Sequence, residues 1–400
     1  MEKERQAEQM KRAKRMECFR PSIFTKLDEE KKKQQALGKR MIDFSIGSPD
    51  IAPASHIVDT LCREVEKPES YRYAIHDLPQ LQEAITQWYQ RRYDVCLDAS
   101  KEVLTLQGSQ EALANIALTI CDPGDYVLVP NPYYPIFADG PRLAGANVWF
   151  MPMREENEYL IRFDEIPDEI AKKASLMIVS YPNNPTGAIA NDAFYEELIA
   201  FAKRWDIAVI HDNAYSELVF DGTLGKSFLS YDGAKEVGVE LNSFSKTYGM
   251  AGARLGVVVG NEQIIEGYKI LKSNMDYGIF LPIQKAGIAA LNANQNCVTQ
   301  TRDAYEERRN CMISCFAQAG WKLRPSKATM FEWARIPQGY ADSETFAVAL
   351  LKKCGIIVTP GTAFGSEGKR YVRLALVVEK EQILEAGRRM KESGMFLDSI

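Results

Sequence analysis

Residues 242–256 read Asn-Ser-Phe-Ser-Lys-Thr-Tyr-Gly-Met-Ala-Gly-Ala-Arg-Leu-Gly, which sets Lys246 between two serines and a threonine and puts Arg254 eight positions later. A lysine amine attacks carbonyl carbons and carries protons, provided part of it is neutral. A neighbouring guanidinium disfavours the charged form and so helps both tasks. A lone Ser-x-Ser-Lys is nevertheless common, and other residues must decide. After "EVLTLQ" comes Gly108-Ser109-Gln110, which opens a helix. Small residues there either expose backbone N–H groups to a phosphate or simply cap a tight turn. After "LMIVSYP" comes Asn183-Asn184-Pro185-Thr186-Gly187, a good turn sequence whose Asn184 could donate to a ligand. After "IAVIH" comes Asp212, with Tyr215 three residues on; the carboxylate is either a helix cap or the counter-ion of a bound cation.

These residues share a rim only if the segments before them are strands of one sheet. "EVLTL" (102–106), "DYVLVP" (125–130), "ASLMIVS" (174–180), "DIAVIHD" (206–212), "VELNSFS" (239–245) and "RLGVVVG" (254–260) have the β-branched, apolar character of buried strands. Helical stretches such as "DAFYEELIAFAKRW" alternate with them. That alternation predicts a parallel, doubly wound α/β sheet, and ligands collect beyond the carboxyl ends of such strands. Near residue 283 the pattern changes to long helical periodicity, followed by "MFEWARI" and "YVRLALV", which predicts a smaller α+β domain reached through a long connecting helix. The expected boundaries are 1–50 for an N-terminal arm and part of the small domain, 51–285 for the large domain and 286–400 for the small C-terminal domain.

Bulk composition narrows the function class. The chain has 400 residues, 46% hydrophobic and 26% charged, with a net charge of −5. This supports a sizeable core and gives no reason to expect nucleic acid or an anionic membrane as partner. Eight cysteines without a CxxC pair and only three histidines argue for reduced thiols in a cytoplasm and against a metal site. The charged start, "MEKERQAEQMKRAKRMECF", lacks the apolar stretch of a secretory signal and reads as a solvated or partner-embracing helix. His211 and His76 are expected to be structural, Cys311 and Cys315 buried thiols, and Trp88, Trp205 and Trp321 core residues.

In order and spacing, "GSQEAL", "NPYYP", "YPNNPTG", "HDNAY", "SFSKTYGMAGARLG" and "YVRLAL" resemble the motifs of the fold-type I aminotransferases that use pyridoxal 5′-phosphate, and the likeness runs from "FSIGSPD" to the end of "YVRLALV". The resemblance implies a large domain with a mixed, mostly parallel seven-stranded sheet and a smaller α+β domain. It implies that Lys246 bonds covalently to the cofactor's aldehyde and later carries the substrate proton. Arg254, Ser243, Ser245 and the Ser109–Gln110 turn would bind the phosphate, with Gly249 and Gly252 letting the backbone bend around it. Asp212 would face the pyridine nitrogen, Tyr215 and Asn184 the ring's phenolic oxygen, and Tyr134 the ring's face. Arg373 in "YVRLAL", with Gly47 in "SIGSPD" and Asn184, would hold the substrate carboxylate. Tyr73 would reach the phosphate in a neighbouring subunit, implying a homodimer with shared active sites.

The implied reaction is ping-pong transfer of an amino group between an L-amino acid and a 2-oxo acid, 2-oxoglutarate or pyruvate. The branch most resembled acts on LL-diaminopimelate, alanine, methionine or aspartate. Gln110 is neutral where some of that branch place a lysine, and no second arginine is evident near "MDYGIFLPIQ", which speaks against strict aspartate specificity. A C–S β-lyase or a decarboxylase of the same fold would be an alternative. A PLP-binding regulator would need a DNA-binding domain that the roughly forty residues before "MIDFSIG" do not suffice for. A nucleotide-binding enzyme would need a GxGxxG or GxxxxGK[ST] loop, which is absent.

Overall fold

The computed structural model describes residues 13–19, 24–36, 38 and 40–396. Most of the charged arm therefore lies outside the described residues, and only a short 3-10 helix at Lys14–Cys18 represents it.

In chain order the strands are β1 (Ile42–Asp43), β2 (Val103–Leu106), β3 (Tyr126–Asn131), β4 (Asn147–Pro152), β5 (Ala174–Ser180), β6 (Ala208–Asp212), β7 (Gly238–Ser243), β8 (Gly256–Gly260), β9 (Phe331–Arg335), β10 (Ile356–Ile357), β11 (Thr359–Pro360) and β12 (Tyr371–Ala375). Seven of them form one sheet in the order β2-β8-β7-β6-β5-β3-β4. Every pairing from β4 to β7 is parallel, whereas β8 runs antiparallel to both β7 and β2. The alternation of strands and helices alone predicted a parallel sheet, and β8 departs from it. A parallel neighbour needs a full crossover. Between β7 and β8 lie only the short helix Phe244–Thr247 and a 3-10 turn at Ala251–Ala253, so the chain doubles back and Lys246 rides on that return. Edge strand β4 had no counterpart among the expected strands. Its sequence, NVWFMP, carries a single β-branched residue and is mostly only half-buried, as suits an edge strand.

Adjacent residues of each strand feed opposite faces, as the pleat requires. Val179, Val209 and Val259 join a cluster with helices Pro79–Tyr93, Asp192–Trp205 and Leu281–Asn292; Ile178, Ile210 and Val258 join another with Leu113, Phe137 and Tyr268. A third cluster gathers around β9 and β12, where Phe44, Phe316, Met330, Phe346 and Ile383 are fully buried. β9, β11 and β12 form a small antiparallel sheet, and β1 pairs with β10. Two helices, Leu281–Asn292 and Asn296–Gln318, replace the single long helix expected after residue 283. The break at Ala293 is held by the Gln295 side chain, which donates to the Ala290 and Ala293 carbonyls at 3.1 and 2.8 Å. Trp88 and Trp321 are buried, but Cys311 and Cys315 are only half-buried. Among the described residues, no helix is long and apolar enough to cross a membrane.

Candidate active site

A cavity of about 180 Å³ opens beyond the carboxyl ends of β6 and β7. It is lined by Gly47, Ser109, Gln110, Tyr134, Asn184, Asp212, Tyr215, Ser243, Ser245, Lys246, Arg254 and Arg373, together with Leu113, Ala214 and Phe331. A larger groove of about 950 Å³, lined by Lys172, Lys203 and Trp205 among others, gathers none of these groups. Chemistry, not volume, selects the smaller cavity.

Local sequence explains how each group arrives there. The Ser243 hydroxyl caps the helix Phe244–Thr247 by accepting from the Ser245 N–H at 3.2 Å, which turns Lys246 into the cavity. Gly108 has φ +78°, and a Cβ on it would collide with the Arg254 guanidinium, so the turn before Ser109 fits closely against that cation. Gly249 has φ +68° and abuts the Ile51 carbonyl, whereas Gly252 faces open space and has no such constraint. Tyr134 donates to Gln110 Oε1 at 3.1 Å.

The Arg373 end of the cavity is built across a long sequence separation. Arg373 Nη1 donates to Asn184 Oδ1 at 3.1 Å. Its guanidinium lies between two rings, 4.0 Å from the centre of Phe331 and 4.7 Å from that of Phe364. Arg373 Nε is buried and has no partner, and a Cβ on Gly47 would sit 3.5 Å from Nη2. A buried cation with an uncommitted N–H is costly unless an anion meets it. Phe331 and Phe364 carried no signal in the sequence beyond apolar character, because stacking on a distant arginine leaves no local pattern.

Electrostatics prepare the acid and the amine. Burial pushes the Lys246 amine down to about 8, with Arg254 and Arg373 acting in the same direction and Asp212 opposing. Burial likewise raises the Asp212 carboxyl to about 6, against the Ala214 N–H, His211 and Lys246. It lowers Arg373 to about 10. Tyr215 is buried and its hydroxyl is pushed well up, so it is a hydrogen-bond donor at neutral pH. The Lys246 Nζ lies 6.0 Å from the centre of its ring. His211, one residue before Asp212, points to the other face of the sheet, where Nδ1 meets Glu240 Oε2 at 3.0 Å and Nε2 meets the Tyr195 hydroxyl at 3.3 Å.

Of the residues expected around cofactor and substrate, Gly249 and Gly252 do not line the cavity, and Tyr73 stands apart from it. It is 79% exposed, with its ring 5.1 Å from that of Tyr277. The groups that line the cavity suit a phosphorylated, cationic, aldehyde-bearing ring. They offer the Arg254 guanidinium and serine hydroxyls at one end, a carboxylate and an amine in the middle, and at the other a second guanidinium, that of Arg373, with an unpartnered Nε for a carboxylate.

The sequence profile described as aminotransferase class I and II matches residues 39–390. An LL-diaminopimelate aminotransferase of Moorella thermoacetica is 43% identical over 383 residues, covering 96% of this chain and 98% of that one. Among solved structures, substrate-bound BacF from Bacillus subtilis superposes with a TM-score of 0.91 at 36% identity, covering 96% of this chain and 98% of its own. An aminotransferase from Staphylococcus aureus does so with a TM-score of 0.87 at 32% identity, covering 95% and 98%.

Proposed function

This chain belongs to the class I and II aminotransferases, pyridoxal-phosphate enzymes that move an amino group between an amino acid and a 2-oxo acid, and we propose that it does so in the cavity around Lys246. The observation that carries this reading is that one cavity holds the depressed Lys246 amine and the Asp212 carboxylate, with Arg254 and Arg373 also on its wall. When bound, the cofactor supplies an aldehyde that takes up amines and a protonated ring that withdraws electrons from Cα.

Each residue then has a task. Arg254, the serine hydroxyls and the Ser109 turn would hold the phosphate. Asp212, ionised above about pH 6, would pair with the ring nitrogen and keep its proton in place at neutral pH. Tyr215 would donate to the phenolic oxygen, and so would the Asn184 amide N–H₂, since its Oδ1 is engaged by Arg373. Tyr134 would pack on the ring. Arg373 grips the substrate carboxylate with the N–H groups left free, which fixes Cα near Lys246. Lys246 would bond to the cofactor's aldehyde and, as a free amine, would carry the proton between the substrate's Cα and the aldehyde carbon.

LL-diaminopimelate, or a similarly long amino acid, is the proposed donor, with 2-oxoglutarate as the proposed acceptor. Support comes from the Moorella relative and from the neutral Gln110–Tyr134 pair, which offers no cation for a short distal carboxylate. Incubating the enzyme with LL-diaminopimelate, alanine, methionine and aspartate, each with 2-oxoglutarate, tests this. LL-diaminopimelate should give the highest kcat/KM with stoichiometric glutamate. Preference for aspartate would overturn the donor assignment, and pyruvate, ammonia and a thiol formed from an S-alkyl-cysteine without an acceptor would indicate a β-lyase.

The large unit, 51–285, carries the cofactor site and 286–400 with part of 1–50 forms the small one, a division supported by the separate apolar cluster around β9 and β12. The working enzyme is a cytoplasmic homodimer. Its support is an exposed apolar patch in which Tyr71 lies 5.5 Å from Phe280 and Tyr73 5.1 Å from Tyr277, with Ile75 and Met275 also exposed. Tyr73 would then reach the partner's phosphate. Light scattering should give twice the chain mass of 45.1 kDa. Tyr73→Phe should weaken cofactor binding without dissociating the dimer; a monomer with full activity would refute both points.

A further inference from the structure

Lys272 is among the few buried lysines, its side chain only 7% exposed, and the reaction does not use it. It ends the helix Glu262–Ser273 and lies between two carboxylates. Its Nζ donates to Glu111 Oε1 and Oε2 at 3.0 Å and to Asp276 Oδ2 at 2.7 Å. Each carboxylate also holds a backbone N–H. Glu111 Oε2 accepts from Gln107 at 2.6 Å, immediately before the Gly108–Ser109 turn, and its Oε1 accepts the buried Tyr268 hydroxyl at 3.0 Å. Asp276 Oδ1 accepts from Gly278 at 2.8 Å. Gly278 has φ +84° and packs so tightly on the Ala74 carbonyl that no side chain fits, which seats the 276–278 loop on the Tyr73 segment. One ammonium therefore ties the phosphate-side turn of the cavity to the exposed Tyr73–Tyr277 patch.

We propose that Lys272 is a positioning residue that couples the Ser109 turn, and hence cofactor affinity, to the 276–278 loop. The inference rests on the cofactor site proposed above. A lysine that merely neutralised two acids would lower stability when removed but leave affinity alone. A coupling lysine transmits a change at Asp276, which lies outside the cavity, to the cofactor. Energetic coupling through such a chain typically amounts to a threefold to thirtyfold change in affinity.

The test is equilibrium titration of PLP into cofactor-stripped protein, read by tryptophan fluorescence well below the unfolding temperature. Asp276→Asn and Lys272→Met should each raise the dissociation constant by roughly three- to thirtyfold. The double variant should be no worse than Lys272→Met, because both act through one bridge. At saturating PLP, kcat should stay within about twofold of wild type. If Lys272→Met does not fold, Asp276→Asn decides alone, and wild-type affinity in that variant overturns the proposal. Arg254→Ala is the control: weakened binding there with unchanged Asp276→Asn sinks only the coupling, whereas unchanged binding in both would mean that the cofactor site itself is misassigned.

Discussion

Replacing Lys246 by alanine should cost at least about four orders of magnitude in turnover, since covalent capture and proton transfer are both lost. The cofactor should still bind, because Arg254, the Ser109 turn and Asp212 remain, but it should dialyse away. Borohydride treatment should add the cofactor's mass to the wild-type chain and not to the variant. Retention of that mass would move the covalent link to another lysine. The lowered Lys246 amine also sets a pH dependence. The neutral, nucleophilic fraction grows as pH rises through about 8 instead of through a lysine's ordinary 10.5, so the rate of PLP capture by stripped wild-type protein should level off above about pH 8. A rate still climbing beyond pH 10 would mean that the nearby cations and the burial do not act on this amine.

Arg373→Ala should have the next largest effect, on kcat/KM for every α-amino acid donor tested. Removing one partner of a buried, charge-assisted carboxylate pair costs about 2–5 kcal/mol, or roughly thirtyfold to several thousandfold. The loss should fall mainly on KM and should be uniform across side chains. A loss confined to one substrate class would make Arg373 a side-chain reader. Stability should move little. The variant gives up the sandwich between Phe331 and Phe364, but it also relieves a buried cation whose Nε has no partner and whose charged form burial already disfavours. A thermal midpoint close to wild type beside a collapsed kcat/KM would identify a group kept for binding at some expense in stability.

Both predictions concern residues that stood out before any fold was known, Arg373 only through the family resemblance and Lys246 also by its position. Lys246, Asp212, Asn184 and Ser109 each follow a short β-branched run, so strand propensity alone puts them at strand ends, where an α/β sheet presents its ligands. Tyr73 stands apart from the cavity on an exposed patch, where the proposed homodimer would bring a second chain that no intrachain pattern describes. Phe331, Phe364 and Lys272 were missed because an apolar residue or a helical lysine is ordinary in type; what distinguishes them is a neighbour far away in sequence.

The sequence by itself determined, through local propensity, which residue types stand at the strand ends and, through the resemblance of its motifs, the family and the cofactor that family uses. Tertiary structure alone decided that β8 runs backwards, that Arg373 meets Asn184 across 189 positions, and that Lys272 bridges Glu111 and Asp276. Those contacts form when separate helices and strands pack, and their energies depend on burial and on partners that a linear pattern does not bring together.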